Sequence, residues 1–313
     1  MGQTLSFSYY LRQGRAVLLR CFGDTPCPVL PETLGGAPLA ALAGYCFSDK
    51  EPSLPAGTQV LRWGEDFSHP LCGNFVQSIS LPQSLESVGS SAFYNCRRLE
   101  KLEFSASLTQ VGSDAFMNCD ELALLRLDGL PRDAGGLRQM LAQLQRGVTV
   151  EFAPAGQPAA RLLFPEFYEE LEENIPAHIF QRQVVGVGYR YRQCFAGQSL
   201  LLAEYDRVFD TAAAQESPAV ACQLAMLRLG LPLELAPAAE KAYLDYLTRY
   251  ADKALCLAVE QKDADTLAFL LQKLNPSAEA RQTARTLAQR LEFAPGAALL
   301  TQPAPRTEKS YDF

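Results

Sequence analysis

Apolar positions in the first half of the chain recur in a fixed phrase. Ala92, Phe93, Cys96, Leu99 and Leu102 are spaced like Ala115, Phe116, Cys119, Leu122 and Leu125, with a period of 23 residues. Laying 79–101 over 102–124 pairs Ile79 with Leu102, Leu81 with Phe104, Leu85 with Leu108, Val88 with Val111 and Gly89 with Gly112, without a gap. Two periods upstream, Leu39, Leu42, Cys46 and Phe47 fall on Leu85, Val88, Ala92 and Phe93. Between them, "EDFSHPLCGNFVQSISL" reads as a degenerate copy that needs a short insertion, with Phe67, Cys72 and Phe75 in the Phe, Cys and Leu slots. A 23-residue unit with one short Leu-x-Leu strand cannot bury its apolar side alone. Stacked on its neighbours, that side becomes a continuous core, with equivalent residues about 5 Å apart.

The phrase "AFxxCxxLxxL", the "SLPQSLESVG" before it (Ser80 to Gly89) and the N-terminal segment from Phe7 to Phe47 resemble the BspA-type (Treponema pallidum-type) bacterial leucine-rich repeats. The N-terminal segment reads as a hairpin turning near Gly14, then Val29-Leu30-Pro31, then Gly36-Ala37-Pro38-Leu39 of a first repeat. The resemblance covers roughly residues 7–127. It implies a solenoid that binds other proteins through the outward row of its strands. Many members of the family are secreted, which implies a cell-surface role.

After residue 127 the spacing changes. Leu137, Met140, Leu141 and Leu144 predict a helix, and "GVTVEF" (Gly147 to Phe152) alternates like a closing strand, so 128–153 is expected to cap the repeats. "APAGQPAA" at 153–160 is expected to mark a boundary. From 158 to 302 helical spacing dominates. Val220, Leu224, Leu227, Cys222, Met226 and Leu229 form one broad stripe, and Tyr243, Leu244, Leu247, Ala251, Leu255 and Ala258 another. Pro232, Pro237 and Pro276 punctuate the helices, with Asn275 and Ser277 as turn and cap. Two short helix pairs about 30 residues apart, around "CLAVEQKDADTLAFLLQ" and "RTLAQRLEFAPGAALLTQ", faintly resemble ankyrin-like repeats. The expected fold class is α+β: a leucine-rich-repeat domain over 1–153, an all-helical domain over 158–302, and a disordered tail over 303–313.

Charge narrows the partners. Residues 1–155 carry 12 basic and 15 acidic residues and 156–313 carry 16 and 20, so neither half has a basic surplus to attract a phosphate backbone. No apolar run reaches the length of a membrane span or a signal peptide. Nine cysteines, an odd number, argue for free thiols in a reducing compartment, hence the cytoplasm, with the cell surface as the alternative if a leader is missing. "MGQTLS" fits the loose N-myristoylation pattern at Gly2 and Ser6.

Few constellations suggest chemistry. His69 lies three residues before Cys72, half of a metal clamp, but no second Cys/His pair follows at zinc spacing. Cys72, Cys96 and Cys119 read as a stacked row of buried thiols. Gly186-Val187-Gly188 lacks the third glycine and the Lys-Ser/Thr of a phosphate loop. "FPEFYEELEEN" (Phe164 to Asn174) reads as a helix with Glu166, Glu169, Glu170, Glu172 and Glu173 on a solvated face. That face is also a candidate partner for the run Tyr189, Arg190, Tyr191, Arg192, whose composition is that of a binding hot spot; the blander reading of that run is a helix whose Tyr and Arg cover their own core. On the strands, Ser80, Glu103 and Arg126 should form one outward row and Ser78, Lys101 and Leu124 another. The expectation is a non-enzymatic protein-binding or scaffold module without cofactor or metal. Its contacts are Ser80, Lys101, Glu103, Arg126 and Tyr189 to Arg192, and its partner is an unknown protein. A surface adhesion module is one alternative. An enzyme with a site around Glu169, Glu173, His178 and Arg190 is another.

Overall fold

The computed structural model describes residues 4–174 and 179–301, with side chains described outside 171–183. The chain divides into two compact units between residues 204 and 205.

The first unit is built from the repeat. It opens with the expected hairpin, β1 (Ser6–Arg12) and β2 (Arg15–Phe22), turning through Gln13 and Gly14 at positive φ. β3 (Thr33–Leu34) pairs with β4 (Ala37–Leu42), and β4 lies parallel to β2. β5 (Leu61–Trp63) pairs with the free side of β1. From there each coil contributes one strand to each of two parallel ribbons. β6 (Ser78–Ser80), β8 (Lys101–Ser105) and β10 (Leu124–Asp128) form one; β7 (Ser87–Val88) and β9 (Gln110–Val111) extend β4 in the other. The register is that of the 23-residue overlay: Ile79 opposite Leu102, Leu102 opposite Leu125, and Val88 opposite Val111.

Between the ribbons every slot stacks on its equivalent. Phe93 lies on Phe116 with ring centroids 5.1 Å apart and planes 10° apart, and Phe47 lies on Phe93 at 5.3 Å and 7°. Cys96 and Cys119 donate their thiols to the carbonyls of Phe47 and Phe93, each at 3.2 Å. The tight turns need left-handed residues, and Asn95 and Asn118 supply them at φ 64° and 61°. Their side chains form a ladder: Asn118 Nδ2 donates to Asn95 Oδ1 at 2.7 Å, and Asn95 Nδ2 to Asp49 Oδ2 at 3.2 Å.

The direct contact of Phe47 with Phe93 corrects the reading of a separate copy between them. Phe47 N–H donates to Ala92 at 2.8 Å, just as Phe93 N–H donates to Ala115 at 2.8 Å, so these turns are neighbours. Residues 48–70 loop out and contribute β5, and the coil resumes at Leu71 with buried Val76 and Ile79. Phe67 packs on Phe22 at 5.2 Å outside the ladder, and Phe75 is exposed. The excursion is one repeat long, which is why the register of Phe47 with Phe93 survived it.

At the other end α1 (Leu137–Leu141) closes the stack, buried through Leu137, Met140 and Leu141. Two glutamine amides on this segment stand in for the next coil's peptides. Gln139 Oε1 accepts from Val111 N–H at 2.7 Å while its Nε2 donates to Thr109 O; Gln143 Oε1 accepts from Phe116 N–H while its Nε2 donates to Gly112 O at 2.9 Å. β11 (Val148–Phe152) is parallel to β10, but it is not the last strand. β12 (Ala160–Phe164) returns antiparallel to it, so 153–160 is a turn inside the sheet rather than a domain boundary. The acidic stretch is not a helix either. β13 (Tyr168–Asn174) and β14 (Ile179–Val185) form a hairpin, followed by α2 (Gly188–Tyr191) and the small pair β15 (Phe195–Ala196) and β16 (Ser199–Leu200).

The second unit is helical. α3 (Leu202–Gln215) leads into it and carries Asp206. The helices α4 (Pro218–Gly230), α5 (Pro237–Arg249), α6 (Ala251–Glu260), α7 (Ala264–Leu274), α8 (Ala278–Arg290) and α9 (Ala294–Thr301) then form three pairs. α4 packs on α6 and α6 on α8, while α5 packs on α7 and α7 on α9. The 30-residue spacing is real: Lys262 and Glu292 turn the second and third pairs at φ 52° and 53°, with Asp263 N–H on Ala258 O matched by Phe293 N–H on Ala288 O. Ser277 caps α8 through Ala280 N–H, and Asn275 ends α7 at φ 46°. The apolar stripe of α4 conceals Arg228, fully buried and forked onto Asp206 at 2.8 and 3.0 Å; Tyr243 O–H also donates to Asp206, at 2.9 Å. These three residues tie α3, α4 and α5 together. The tail over 303–313 lies outside the described residues.

Candidate functional site

The outward rows form as the strand alternation requires. Ser80 lies opposite Glu103 and Glu103 opposite Arg126; Ser78 lies opposite Lys101 and Lys101 opposite Leu124. Two further strands lengthen the first row, with Arg126 opposite Glu151 and Glu151 opposite Arg161. The row is legible in the sequence only as far as Arg126, because β11 follows at a spacing of 25 residues instead of 23 and β12 runs backwards. The alternation of "VTVEF" around Glu151 was the available signal.

The row is wired along its length. Ser80 Oγ donates to Glu103 Oε2 at 2.7 Å, and Lys101 Nζ sits 2.6 Å from Glu103 Oε1. Arg126 reaches Glu103 Oε1 at 3.9 Å and Glu151 Oε1 at 3.3 Å, and Arg161 Nε donates to Glu151 Oε2 at 3.0 Å. Partial burial alone would raise the Glu103 carboxyl; Lys101, Ser80 and Arg126 more than offset it and hold the group below the ordinary carboxylate value. The result is a flat face of alternating charge, about one-third exposed at each of Lys101, Glu103 and Arg126, with its side chains already held in place.

The Tyr/Arg run splits. Tyr189 and Arg190 are exposed, and Tyr189 leans on Phe167 at 5.7 Å. Tyr191 and Arg192 are buried, which removes both from any contact surface. Arg192 instead binds backbone. Nε donates to the carbonyls of Leu141 and Leu144, Nη1 to Pro165 and Gly188, and Nη2 to Arg146, with the guanidinium 4.8 Å over the Phe167 ring. Burial lowers its pKa to about 10, so the group stays charged at neutral pH while collecting carbonyls at the end of α1.

The remaining candidates have structural roles or lie apart. His69 is on an exposed loop, its Nδ1 2.7 Å from Ser68 Oγ. Among the described residues no group of three or more His, Cys, Asp or Glu is placed to hold a metal ion. Desolvation pushes the thiols of Cys21 and Cys119 up to about 12 and raises those of Cys46, Cys72 and Cys96, the reverse of an activated nucleophile. Gly188 is a packing glycine, since a Cβ there would lie 2.0 Å from Pro165 O. His178 and the Glu173 side chain lie outside the described residues, and Glu169 sits on β13, not a helix. Two concave surfaces were not foreseen. One is a mixed-charge groove of about 1030 Å³ between α6 and α8, bordered by Arg249, Lys253, Cys256, Glu260, Glu279 and Arg290. The other is an apolar cavity of about 440 Å³ lined by Leu5, Phe7, Val29, Pro31 and Trp63.

Parallel ribbons, a stacked core and an outward strand row define a leucine-rich-repeat solenoid. Residues 67–130 match the BspA type leucine rich repeat region in 6 copies, so this part of the chain is a BspA-type leucine-rich repeat region. Among solved structures, the chain is similar to a leucine rich cell surface protein from Faecalibacterium prausnitzii, at 20% identity over 39% of this chain and 28% of that one, with a TM-score of 0.28. It is also similar to the leucine rich repeat protein of T. pallidum, at 20% identity over 39% of this chain and 68% of that one, with a TM-score of 0.24. The chain thus spans less than one-third of the F. prausnitzii protein's length. No curated protein matches it.

Proposed function

We propose that the chain is a non-enzymatic protein-binding module whose contact face is the strand row Ser80, Lys101, Glu103, Arg126, extended by Glu151 and Arg161. The supporting observation is the wiring of that row. Its side chains are fixed by each other before any partner arrives, so little rotamer freedom is lost on binding, and the alternating charge selects a partner of complementary pattern. Tyr189 and Arg190 form a second, smaller contact on the same unit. Leucine-rich repeats serve in protein interaction or adhesion, and the fold is typically non-enzymatic. No helix among the described residues is long and apolar enough to cross a membrane.

The test uses the full chain with a photo-crosslinking residue at Lys101 or Arg126, in lysate of the source organism, against a control at exposed Glu121. A common adduct from the row positions that is absent at Glu121 supports the reading; adducts from Glu121 alone, or none from the row, overturn it. The thiols of Cys21, Cys46, Cys96, Cys119 and Cys222, buried and outside any disulfide, favour action in a reducing compartment. Display at a cell surface would give the same face an adhesive role, and alkylation of the thiols at the moment of lysis separates the two.

A further inference from the structure

We infer that the N-terminal edge of the first unit is a second docking site, one that takes an extended basic peptide as an added β-strand with an apolar side chain against Trp63. Three observations converge. First, among the described residues β5 is the outermost strand of its sheet and pairs with β1 alone, in register Leu61–Tyr9, Arg62–Ser8 and Trp63–Phe7. Second, the apolar side chains on this edge are left open. Trp63 is 47% exposed although it stacks on Phe7 at 5.8 Å, and Val29, Leu61 and Val60 are exposed with it. The cavity of about 440 Å³ among Leu5, Phe7, Val29, Pro31 and Trp63 has room for one large side chain. Third, the bordering segments are acidic. Leu5 lies against Gly23, next to Asp24, and Gly64 lies against Ser6, just ahead of Glu65 and Asp66. Hydrogen bonds from Ser68 hold Asp66 below the ordinary carboxylate range, so it is charged at neutral pH. Of the cations near this edge, Arg62 is turned over the Phe67 ring at 5.1 Å, and Arg12 lies toward the Leu61 end of β5, away from the Trp63 cavity.

A strand laid along β5 places alternate side chains beside Leu61 and Trp63, at cross-strand distances of about 4.5–5.5 Å. Its backbone bonds supply affinity, the cavity supplies specificity, and Lys or Arg at its ends meet Asp24, Glu65 and Asp66. This surface meets the strand row at Val29, which is bridged to Ser80, but Trp63 and the open edge of β5 lie outside the row, so the Trp63 signal tests this site and not the row.

Trp63 is the only tryptophan in the chain, so its fluorescence reports on this site alone. The probe is the capped peptide Lys-Lys-Val-Thr-Phe-Lys-Lys, titrated into the full chain. The expected result is a saturable blue shift of the emission with protection from acrylamide quenching, weakening several-fold as salt is raised through the physiological range. Replacing the four lysines with glutamate, or the central threonine with proline, should abolish the shift. No shift with the first peptide, or an equal shift with either altered one, overturns the inference. A blue shift that grows with protein concentration in the absence of peptide, with a dimer in sedimentation, also overturns it and assigns the edge to a second copy of the chain.

Discussion

One methyl group decides whether successive coils can touch at Gly89 and Gly112. A Cβ at Gly112 would lie 2.4 Å from the Ser90 nitrogen, and one at Gly89 would lie 2.5 Å from the Gly44 nitrogen. Both obstacles are backbone and cannot swing aside. Gly112→Ala should therefore cost about 2–3 kcal/mol, the upper end of overpacking penalties, and Gly36→Ala serves as a control, since strain at its positive φ is the only cost there. Chemical denaturation reads the difference, and an unchanged midpoint in Gly112→Ala would refute the close approach. Arg192 acts in the opposite sense, by what it supplies. Arg192→Met leaves carbonyls of Leu141, Leu144, Arg146, Pro165 and Gly188 without their donor, at a cost of about 3–5 kcal/mol, with Arg192→Lys recovering only part. The glycines were visible in the sequence because they repeat. Arg192 was not, because its five acceptors are backbone atoms contributed by segments up to 51 residues away, and backbone acceptors leave no mark on residue type.

Elements were legible where the period that defines them is uninterrupted. The ladder of Phe93 on Phe116 and the pairing of Glu103 with Arg126 follow from the 23-residue overlay, because strand stacking forces equal positions together. Three elements escaped it. The excursion 48–70 has the length of a coil without forming one. The sequence "YEELEEN" favours a helix by intrinsic preference, yet it pairs residue for residue with the β-branched and aromatic "IFQRQVV" of β14, and tertiary pairing outweighs propensity. The small residues of 153–160 turn a chain equally well inside a sheet and between domains. The cap makes an element-scale prediction. Gln143→Leu keeps the size of the side chain but withdraws its amide from Phe116 N–H and Gly112 O. Stability should fall by about 1–2 kcal/mol, and hydrogen exchange should accelerate at Phe116 while Phe93 stays protected. The strand row makes another, in pH. Glu103 and Glu32 both sit below their ordinary value of 4.5. For Glu32, too, burial would raise the carboxyl, and the amides of Gln83 and Ser84 with the Ser84 hydroxyl outweigh it. A carboxyl lowered by folding adds stability that is complete above its unfolded value and disappears as pH falls through its folded value. Melting temperature should therefore drop as pH goes from 5 down through about 3, and Glu103→Gln should flatten that slope while leaving Glu32's share. An identical slope in the variant would show that the row does not titrate with folding.

Across the whole molecule the cysteines test both units at once, because each carries thiols of known depth. Cys21, Cys46, Cys96, Cys119 and Cys194 are buried in the first unit and Cys222 in the second; Cys72 and Cys256 are half-covered, and Cys27 alone is exposed. Reaction with a thiol reagent needs both access and the thiolate. Burial denies access, and desolvation, the main cause in each case, raises the pKa of Cys222 to about 12 and that of Cys256 to a lesser degree. Native protein at mildly alkaline pH should accordingly show one fast thiol, Cys27, then slow labelling of Cys72 and Cys256, with six thiols silent until denaturant is added. Mass spectrometry of the labelled peptides assigns each phase. The outcome discriminates between architectures as well as rates. If 65–76 formed an independent coil between Phe47 and Phe93, Cys72 would sit in the thiol ladder and label as slowly as Cys96. With the excursion looped out, Cys72 lies where the coil resumes and must label ahead of Cys96 and Cys119.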